Sequence, residues 1–472
     1  MDPTISRRAF LSGATALAAI PSLDSRTAWA EQLPVRLRAT TRTLDVNGRA
    51  ATVLGLLRND GGHGIELRPN ERFRVRLVNT LDEPTIIHWH GQIPPVVQDG
   101  VPDAPLPMLV PGEVREFDYV PRPGTHWMHA HVPPQEMRLL AAPLIVRTEE
   151  DLRADRQEVV IMLYDFSFTP LAEHLARLNR PEGHGAANHH ASMPGMGGMA
   201  GMAMDLNDID FDAYLANDRT LADPEVVRVE PGGRVLLRII NGAGATVFWI
   251  DTGRLRGALV AVDGDPIQTV AGSRVGLAMG QRADIVIEIP REGGAFPILA
   301  LREGERERTG IVLATAGATI GRIAPLSQTP AEAFGAAQEM RLQAARQPPR
   351  RRADVTRRVT LDGTMSPYEW SIDDRPWGRH RPIPVRSGQR VELVMENRSM
   401  MAHPMHLHGH VFQVVQIGDH RFPGAMRDTV HVPPMNRIAI AFDAGEAARW
   451  MFHCHHMPHL ATGMMTEVTV EG

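Results

Sequence analysis

The sequence predicts an all-β protein made of three consecutive β-sandwich domains. The main observation is a unit that recurs at residues 69–79, 231–241 and 387–397, in which a turn with Pro or Gly precedes alternating apolar residues and a closing Asn. Alternation with a period of two after a turn is typical of a β-strand. The 42 glycines and 37 prolines, with few long helical stretches, also favour sandwiches of short strands.

The residues that follow each closing Asn distinguish the three units. In the first and third units two histidines follow at the same two steps, and these are His88, His90, His406 and His408. The middle unit has Ile250 and Thr252 at those steps. We therefore expect metal ligands in the first and third units, and we interpret the middle unit as a spacer without them.

The repeats and the composition between them predict the domain boundaries. We expect domain one at 33–148, domain two at 157–318 and domain three at 354–472. The linker at 319–353 is rich in Ala, Gln, Arg and Pro, and residues 331–345 within it have a helical pattern.

Composition limits the classes of function. The formal net charge of −5 and the pI near 6.5 give no electrostatic argument for binding nucleic acid or an anionic membrane, so we expect neither partner, and we expect a monomer. Cys454 is the single cysteine, which excludes an intramolecular disulfide. The 21 histidines and 23 methionines are clustered, and such nitrogen and sulfur ligands favour copper over magnesium or calcium.

The first thirty residues have the pattern of an export signal. The pair Arg7-Arg8 precedes a short apolar run, and Ala28-Trp29-Ala30 fits cleavage after Ala30. We expect export to the periplasm by the twin-arginine route. No other segment is predicted to cross a membrane.

Residues 189–204 form a low-complexity stretch of Gly, Met and His inside domain two. This composition does not build a packed core, so we expect a loop. Two interpretations are open, a flexible insertion or a capture site for Cu(I), because thioether sulfurs suit a soft ion. The candidate ligands are Met193, Met196, Met199, Met202 and Met204.

Four histidine clusters carry the strongest signal, and they lie at 88–91, 126–131, 403–410 and 453–459. If the last cluster lies on a strand, Cys454 points to one side and His453 and His455 point to the other. The thiol can then bind a metal inside domain three while its neighbours bind metals at the opposite face. A Cys with two His and a weak axial Met is the blue-copper ligand set, and the candidates are His403, Cys454, His459 and Met464.

The remaining clustered histidines form four pairs with one residue between partners. Together they offer eight imidazoles, enough to hold three copper ions with positions open for dioxygen. These residues are His88, His90, His129, His131, His406, His408, His453 and His455.

These four motifs, in this order, resemble those of the multicopper oxidase family, which includes laccases and bacterial cuprous oxidases. The resemblance covers nearly all of the mature chain and implies three cupredoxin-like Greek-key β-sandwich or barrel domains. It implies four copper ions, with His88 and His406 at type 2 and His403, Cys454, His459 and Met464 at type 1. The type 3 pair would be held by His90, His129, His131, His408, His453 and His455.

The implied reaction is one-electron oxidation of Cu(I), of phenols or of aromatic amines, coupled to four-electron reduction of dioxygen to water, with a role in periplasmic copper tolerance. Asp99 lies where the family has a carboxylate near the three-copper cluster, and an acid there can relay protons. The alternative is that Asp99 is a turn residue before Gly100.

Two positions depart from the family pattern. Leu460 stands where many bacterial members have an acidic residue after the last type 1 histidine, so this position offers no proton donor. Bacterial cuprous oxidases carry an Asp and a Met before the first type 1 histidine. Here Met401 is present as a possible Cu(I) ligand, but Ser399 replaces the Asp.

Other classes of function are possible on the same fold. One is a copper-sequestering protein or a metal-free periplasmic interaction module, and the intact ligand set argues against the metal-free version. Another is a copper nitrite reductase, which lacks the full set of paired histidine clusters.

Overall fold

Each repeated unit forms an interior strand of a sheet in the computed structural model, which describes residues 33–180 and 206–472. The strands end at Asn79, Asn241 and Asn397. Each Asn side chain donates to a backbone carbonyl four or five residues ahead and to a second one farther along the chain, as Asn79 does to Glu83 and Leu109 at 2.9 Å. The repeat therefore braces the segments that carry the histidines. The predicted signal peptide and the stretch 189–204 lie outside the described residues.

Domain one consists of two four-stranded sheets, with strand orders β2-β1-β4-β6 and β3-β8-β7-β5. The element bounds are β1 (Val35–Val46), β2 (Arg49–Arg58), β3 (Ile65–Leu67), β4 (Phe73–Asn79), β5 (Ile87–His90), β6 (Val114–Tyr119), β7 (Gly124–Ala130), α1 (Pro133–Glu136), β8 (Ala141–Val146) and α2 (Glu149–Arg153). Antiparallel pairing of β5 with β7 places His88 opposite His129.

Domain two has a six-stranded sheet, β10-β9-β12-β17-β14-β15, and a five-stranded sheet, β11-β19-β18-β13-β16. The bounds are β9 (Gln157–Phe166), α3 (Leu171–Leu178), β10 (Ala213–Ala216), β11 (Val226–Arg228), β12 (Arg234–Asn241), β13 (Phe248–Asp251), β14 (Gly257–Val262), β15 (Asp265–Gly272), β16 (Arg274–Leu277), β17 (Arg282–Glu288), β18 (Ala295–Arg302) and β19 (Arg308–Ala314).

Domain three has one sheet in the order β21-β20-β23-β29-β25-β26, with β27 on β25, and a second in the order β22-β31-β30-β24-β28. The bounds are β20 (Val355–Met365), β21 (Tyr368–Ile372), β22 (Ile383–Arg386), β23 (Arg390–Asn397), β24 (His403–Leu407), β25 (Phe412–Ile417), β26 (His420–Arg421), β27 (Met426–Arg427), β28 (Thr429–Val432), β29 (Arg437–Asp443), β30 (Arg449–Cys454), α4 (Met457–Thr462) and β31 (Met465–Glu471). Pairing of β24 with β30 places His406 opposite His453.

The apolar cores follow the alternation that the sequence predicts. Two residues before the closing Asn of each unit lie Leu77, Ile239 and Met395, and each has 0% exposure. Each belongs to a different core cluster, one for each pair of sheets. The prediction of an all-β fold with three sandwich domains is confirmed.

The prediction of a helix in the linker is wrong. Residues 331–345 contain a single 3-10 turn at Glu339–Arg341. The segment instead packs along the edges of domain two, where the Gly276 N–H donates to Gln338 Oε1 at 2.8 Å and the Ala345 N–H donates to Pro266 O at 3.0 Å. These edge contacts and the burial of Leu342 outweigh a modest helical propensity.

The structure contains no long apolar helix of the kind that spans a membrane, within the two ranges that it describes.

Candidate metal centre

Paired strands from domains one and three bring the histidine clusters together in a buried group. His88 and His406 face each other with their Nε2 atoms 3.4 Å apart, and the Nε2 atoms of His131 and His453 are 3.3 Å apart. Within domain three, His408 Nε2 lies 3.0 Å from His453 Nε2. All these rings are buried.

The eight paired histidines fall into three sets, the first two of which share His90, and in each set the possible ligand atoms lie within 4.8 Å of one another. Every set draws on both domains. The sets are His88, His90 and His406, then His90, His129 and His455, and then His131, His408 and His453. The last two sets leave His88 and His406 as a facing pair, so the eight imidazoles can be grouped as two, three and three.

A separate cluster lies inside domain three on the other side of β30. Cys454 Sγ is 3.8 Å from His403 Nδ1 and 3.7 Å from His459 Nδ1, and the two Nδ1 atoms are 3.1 Å apart. Met464 is buried in the same core, and its carbonyl accepts from the Cys454 N–H at 3.0 Å. Thiol, imidazole and thioether groups are a donor set that suits copper.

Backbone carbonyls fix the orientation of several imidazoles. His88 Nδ1 is 2.8 Å from Asp99 O, and His406 Nδ1 is 2.8 Å from Asp428 O. His453 Nδ1 lies 3.0 Å from Cys454 O. A proton held on Nδ1 leaves Nε2 as the metal-binding atom.

His90 has the opposite orientation. Its Nε2 lies 3.1 Å from Asp428 Oδ1, and its Nδ1 lies 3.4 Å from His129 Nε2. The Asp428 carboxylate therefore favours the proton on Nε2 and leaves Nδ1 facing the other ligand atoms.

Asp99 lies in a turn and also beside a candidate ligand. It ends a 3-10 turn at Val96–Gln98, and Gly100 follows with φ of +88°. Its Oδ2 atom also lies 2.8 Å from His408 Nδ1. The residue is 2% exposed, so its carboxylate is enclosed with the histidines.

Two further buried acids were missed in the sequence. Glu136 of α1 reaches His129 Nδ1 at 2.8 Å, and burial raises the pKa of its carboxyl well above the usual value. Asp428 precedes Thr429 and contacts His90, as described above. Glu136 follows His131 closely in sequence, and this nearness to a histidine cluster could have identified it as a candidate. No local sequence pattern identifies Asp428.

Burial lowers the pKa of the clustered histidines well below the usual value, and the neighbouring imidazoles lower it further; the pKa of His453 falls to about 3. The other residues with this shift are His90, His129, His131, His406, His408 and His455. Burial raises the pKa of the Cys454 thiol. Neutral imidazoles are the form that binds metal ions, and binding by Cys454 releases a proton.

The Cys454 cluster is covered by Tyr368, Trp370 and Asp208. Trp370 stacks on His459 with ring centroids 4.0 Å apart. Asp208 Oδ2 lies 3.3 Å from His459 Nε2 and accepts a hydrogen bond from the Tyr368 hydroxyl. The Tyr368 N–H donates to Asn179 Oδ1 at 2.8 Å. Asn179 and Asp208 precede and follow the stretch that contains the candidate methionines.

Ser399 and Leu460, the two positions that depart from the family pattern, are both buried, and so is the neighbouring candidate Met401. Met401 has 3% exposure and lies in the core of domain three. Ser399 Oγ lies 2.8 Å from His403 Nε2, so it orients a ligand of the Cys454 cluster. Leu460 of α4 is 9% exposed and supplies no acid.

Comparisons with known proteins agree with this geometry. Three multicopper oxidase family models match residues 39–151, 158–318 and 350–472. Multicopper oxidase MmcO of Mycobacterium tuberculosis is 29% identical over 447 residues, covering 90% of this chain and 84% of that protein. Copper resistance protein A of Escherichia coli is 24% identical over 602 residues, covering 99% of each.

Solved structures show the same fold. Fet3p, a multicopper oxidase that functions in iron import, matches with a TM-score of 0.74 and 16% identity over 92% of this chain and 90% of that one. A multi-copper oxidase from Pseudomonas thermotolerans matches with a TM-score of 0.69 and 23% identity over 93% and 99%. The chain, with its two buried ligand clusters and three matched domains, belongs to the multicopper oxidase family.

Proposed function

We propose that this protein is a periplasmic four-copper oxidase that takes single electrons from Cu(I) or a small aromatic reductant at the Cys454 cluster and delivers them to dioxygen at the three-copper cluster. One observation carries the proposal. Cys454 lies in one cluster, and its neighbours His453 and His455 lie in the other. A few covalent bonds of backbone therefore connect the two clusters.

We assign the candidate ligands to the ions as follows. His403, Cys454, His459 and Met464 would hold the type 1 copper. His88 and His406 would hold type 2, and the type 3 pair would take His90, His129, His131, His408, His453 and His455. When bound, these ions supply one-electron transfer and a binding place for dioxygen.

The protein supplies orientation and protons. Carbonyls and carboxylates hold the imidazoles in the tautomers that leave one nitrogen toward each ion. Reduction of dioxygen to water consumes protons, and Leu460 offers none. Asp99 and Glu136 are buried within 2.8 Å of His408 and His129, which makes them the candidate proton donors.

The decisive measurement is oxygen consumption by copper-loaded protein, with Cu(I) and with a phenol as separate reductants. We expect an intense blue absorption from Cu(II) bound to the Cys454 thiolate, together with oxygen uptake that depends on the reductant. Copper-loaded, oxidised protein without the blue absorption would contradict the oxidase function. Copper binding without oxygen uptake would favour the alternative, a copper-sequestering protein.

Cu(I) as substrate is supported by two observations. The chain is similar to copper resistance proteins over their whole length. Asn179 and Asp208, which precede and follow the candidate methionines in sequence, both contact Tyr368 beside His459. The residues on either side of the methionine-rich sequence thus lie close to the proposed site of electron entry, where Cu(I) would be oxidised.

Deletion of residues 193–204 tests this substrate assignment. We expect Cu(I) oxidation to fall more than phenol oxidation, because only the first reaction needs thioether ligands. Replacement of the five methionines by leucine keeps the length and apolar character of the stretch, and it should give the same selective loss. Equal loss of both activities would remove the case for copper capture.

A further inference from the structure

We propose that Arg282 of domain two is a positioning residue of the three-copper centre, which holds Asp428 in place and joins the two domains that carry the ligands. This inference rests on the proposed function and extends it, because the ligands themselves come from domains one and three alone. The middle domain would then be part of the copper centre as well as a spacer.

Arg282 contacts both ligand-bearing domains from a fully buried position. Its guanidinium donates two hydrogen bonds to the Asp428 carboxylate of domain three, at 2.7 Å to Oδ1 and 2.5 Å to Oδ2. Its Nε–H donates to Thr125 O of domain one at 3.1 Å. The side chain has 0% exposure. A paired guanidinium and carboxylate make the strongest and most directional type of hydrogen bond available here.

Asp428 transmits this contact to the ligands. Its Oδ1 atom lies 3.1 Å from His90 Nε2, and its carbonyl accepts from His406 Nδ1 at 2.8 Å. Without Arg282, the Asp428 carboxylate would lose its two shortest hydrogen bonds, and of its hydroxyl and guanidinium donors only the Thr429 hydroxyl, at 3.0 Å, would remain. His90 would then keep only one of its two contacts at Nε2, the Thr429 hydroxyl at 3.0 Å, and would lose the charged one that favours the proton on Nε2.

The residues before Arg282 pack against the same ligands. A side-chain carbon at Gly280, where φ is +79°, would lie 2.9 Å from His455 Cδ2 and 3.2 Å from His90 Cε1. The Gln281 amide donates to Thr429 O at 3.1 Å. The turn at 280–282 is therefore a wall of the centre, built by domain two.

A second ion pair, between Asp263 and Arg427, lies next to the pair of Arg282 and Asp428. Asp263 of domain two accepts the Arg282 N–H at 2.9 Å and the Arg427 guanidinium at 3.1 Å. Arg427 also pairs with Glu339 of the linker at 2.9 Å. Arg427 and Asp428 are adjacent, so domain two binds the same short segment of domain three through two ion pairs.

The test compares Arg282→Met with Arg238→Met. Arg238 is a matched control because it is a buried arginine of domain two, 1% exposed, that also reaches domain one through Thr125 Oγ1 at 3.1 Å. It pairs with Asp284 at 3.0 Å, and among the described residues no contact joins it to a candidate ligand. Both variants lose one buried charge.

The readouts are copper ions per chain, the type 2 signal in electron paramagnetic resonance, the blue absorption and the unfolding temperature. For Arg282→Met we expect copper affinity of the three-copper centre to fall about 10- to 100-fold, with the blue absorption retained. Arg238→Met should lower the unfolding temperature and keep the full copper content. Equal copper contents and signals in the two variants would overturn the proposal.

Two further variants keep the test decisive if Arg282→Met does not fold. Arg282→Lys keeps the charge but cannot pair with both carboxylate oxygens, and it should also lose copper at the three-copper centre. Asp428→Asn should reproduce the loss, and full copper content in both variants would refute the proposal. If the wild-type protein binds copper without consuming oxygen, the proposed function fails, while the copper contents still decide the role of Arg282.

Discussion

At the scale of single residues, Cys454 is the position on which the proposed electron entry depends. Its thiol is fully buried with His403 and His459, and the histidines on either side of it belong to the other cluster. No other cysteine is available to replace it.

We expect Cys454→Ser to abolish the blue absorption and the oxidation of every substrate. Serine preserves the size of the side chain but offers no soft thiolate to copper. Absorption spectra and oxygen uptake measure both losses, and copper content should fall by the type 1 ion alone. Retained turnover would refute the role of Cys454.

Glu136→Gln should slow oxygen reduction about 10²- to 10⁴-fold, the usual contribution of a proton donor. The amide keeps the size of the side chain and removes its proton. Glu303 provides the control because it is also a buried acid, and burial raises its pKa to about 8. Its carboxylate accepts a hydrogen bond from the Phe334 N–H, whereas the Glu136 carboxylate contacts a candidate ligand, His129. Steady-state oxygen consumption should be unchanged in Glu303→Gln, and equal effects of the two variants would contradict the prediction.

The candidate ligands were predictable from sequence because each pair begins in a strand and ends in it or one residue beyond it, so that local spacing determines which side chains share a face. Asp428 and Arg282 were not predictable in this way. Their contacts join residues 146 positions apart in sequence, and only tertiary packing brings them together. Glu136 lay near a recognised motif, but its direction depends on the short helix α1.

At the scale of elements, β21 shapes the surroundings of the Cys454 cluster. Trp370 of this strand stacks on His459 and is 1% exposed. We expect Trp370→Ala to destabilise the protein by roughly 3–5 kcal/mol, because it removes a large buried ring and leaves a cavity.

Chemical denaturation of copper-free protein measures this loss, and Trp377→Ala is a suitable control because Trp377 is 37% exposed. A comparable loss in the control would contradict the importance of the stacked ring. In copper-loaded protein we also expect Trp370→Ala to alter the blue absorption, since His459 would no longer be held against the ring.

The linker shows where prediction of elements from sequence fails. Its alanines and glutamines suggest a helix, whereas the segment follows the edges of domain two and contacts domain three. The strands of the three domains were predictable since their alternation coincides with burial. The linker has no alternation of buried and exposed residues that would predict its path, because the residues that it contacts are far away in sequence.

At the scale of the whole molecule, the buried histidines make stability depend on pH. Burial lowers the pKa of His403, His406 and His459, among others, so the folded copper-free protein binds fewer protons than the unfolded chain. The stabilisation from these groups is present above the unfolded-state pKa of about 6.5 and is lost as pH falls below it.

We therefore expect the unfolding temperature of copper-free protein to fall steeply as pH drops from about 7 to 4. Copper-loaded protein should resist until lower pH, because its imidazoles are already occupied and protons must displace the metal. Thermal unfolding over this pH range measures both curves. Parallel curves with and without copper would show that the buried histidines do not control acid stability.

The division of ligands between the two ends of the chain has a consequence for assembly. His131 and His453, whose rings meet, are 322 residues apart in sequence. The Cys454 cluster, in contrast, draws its ligands from domain three alone. If the proposed ligands hold copper, a partly folded chain would acquire its colour early, whereas metal binding between domains one and three would require both ends to have docked. Metal there would act as a cross-link that closes the chain, and its uptake would report that folding has finished.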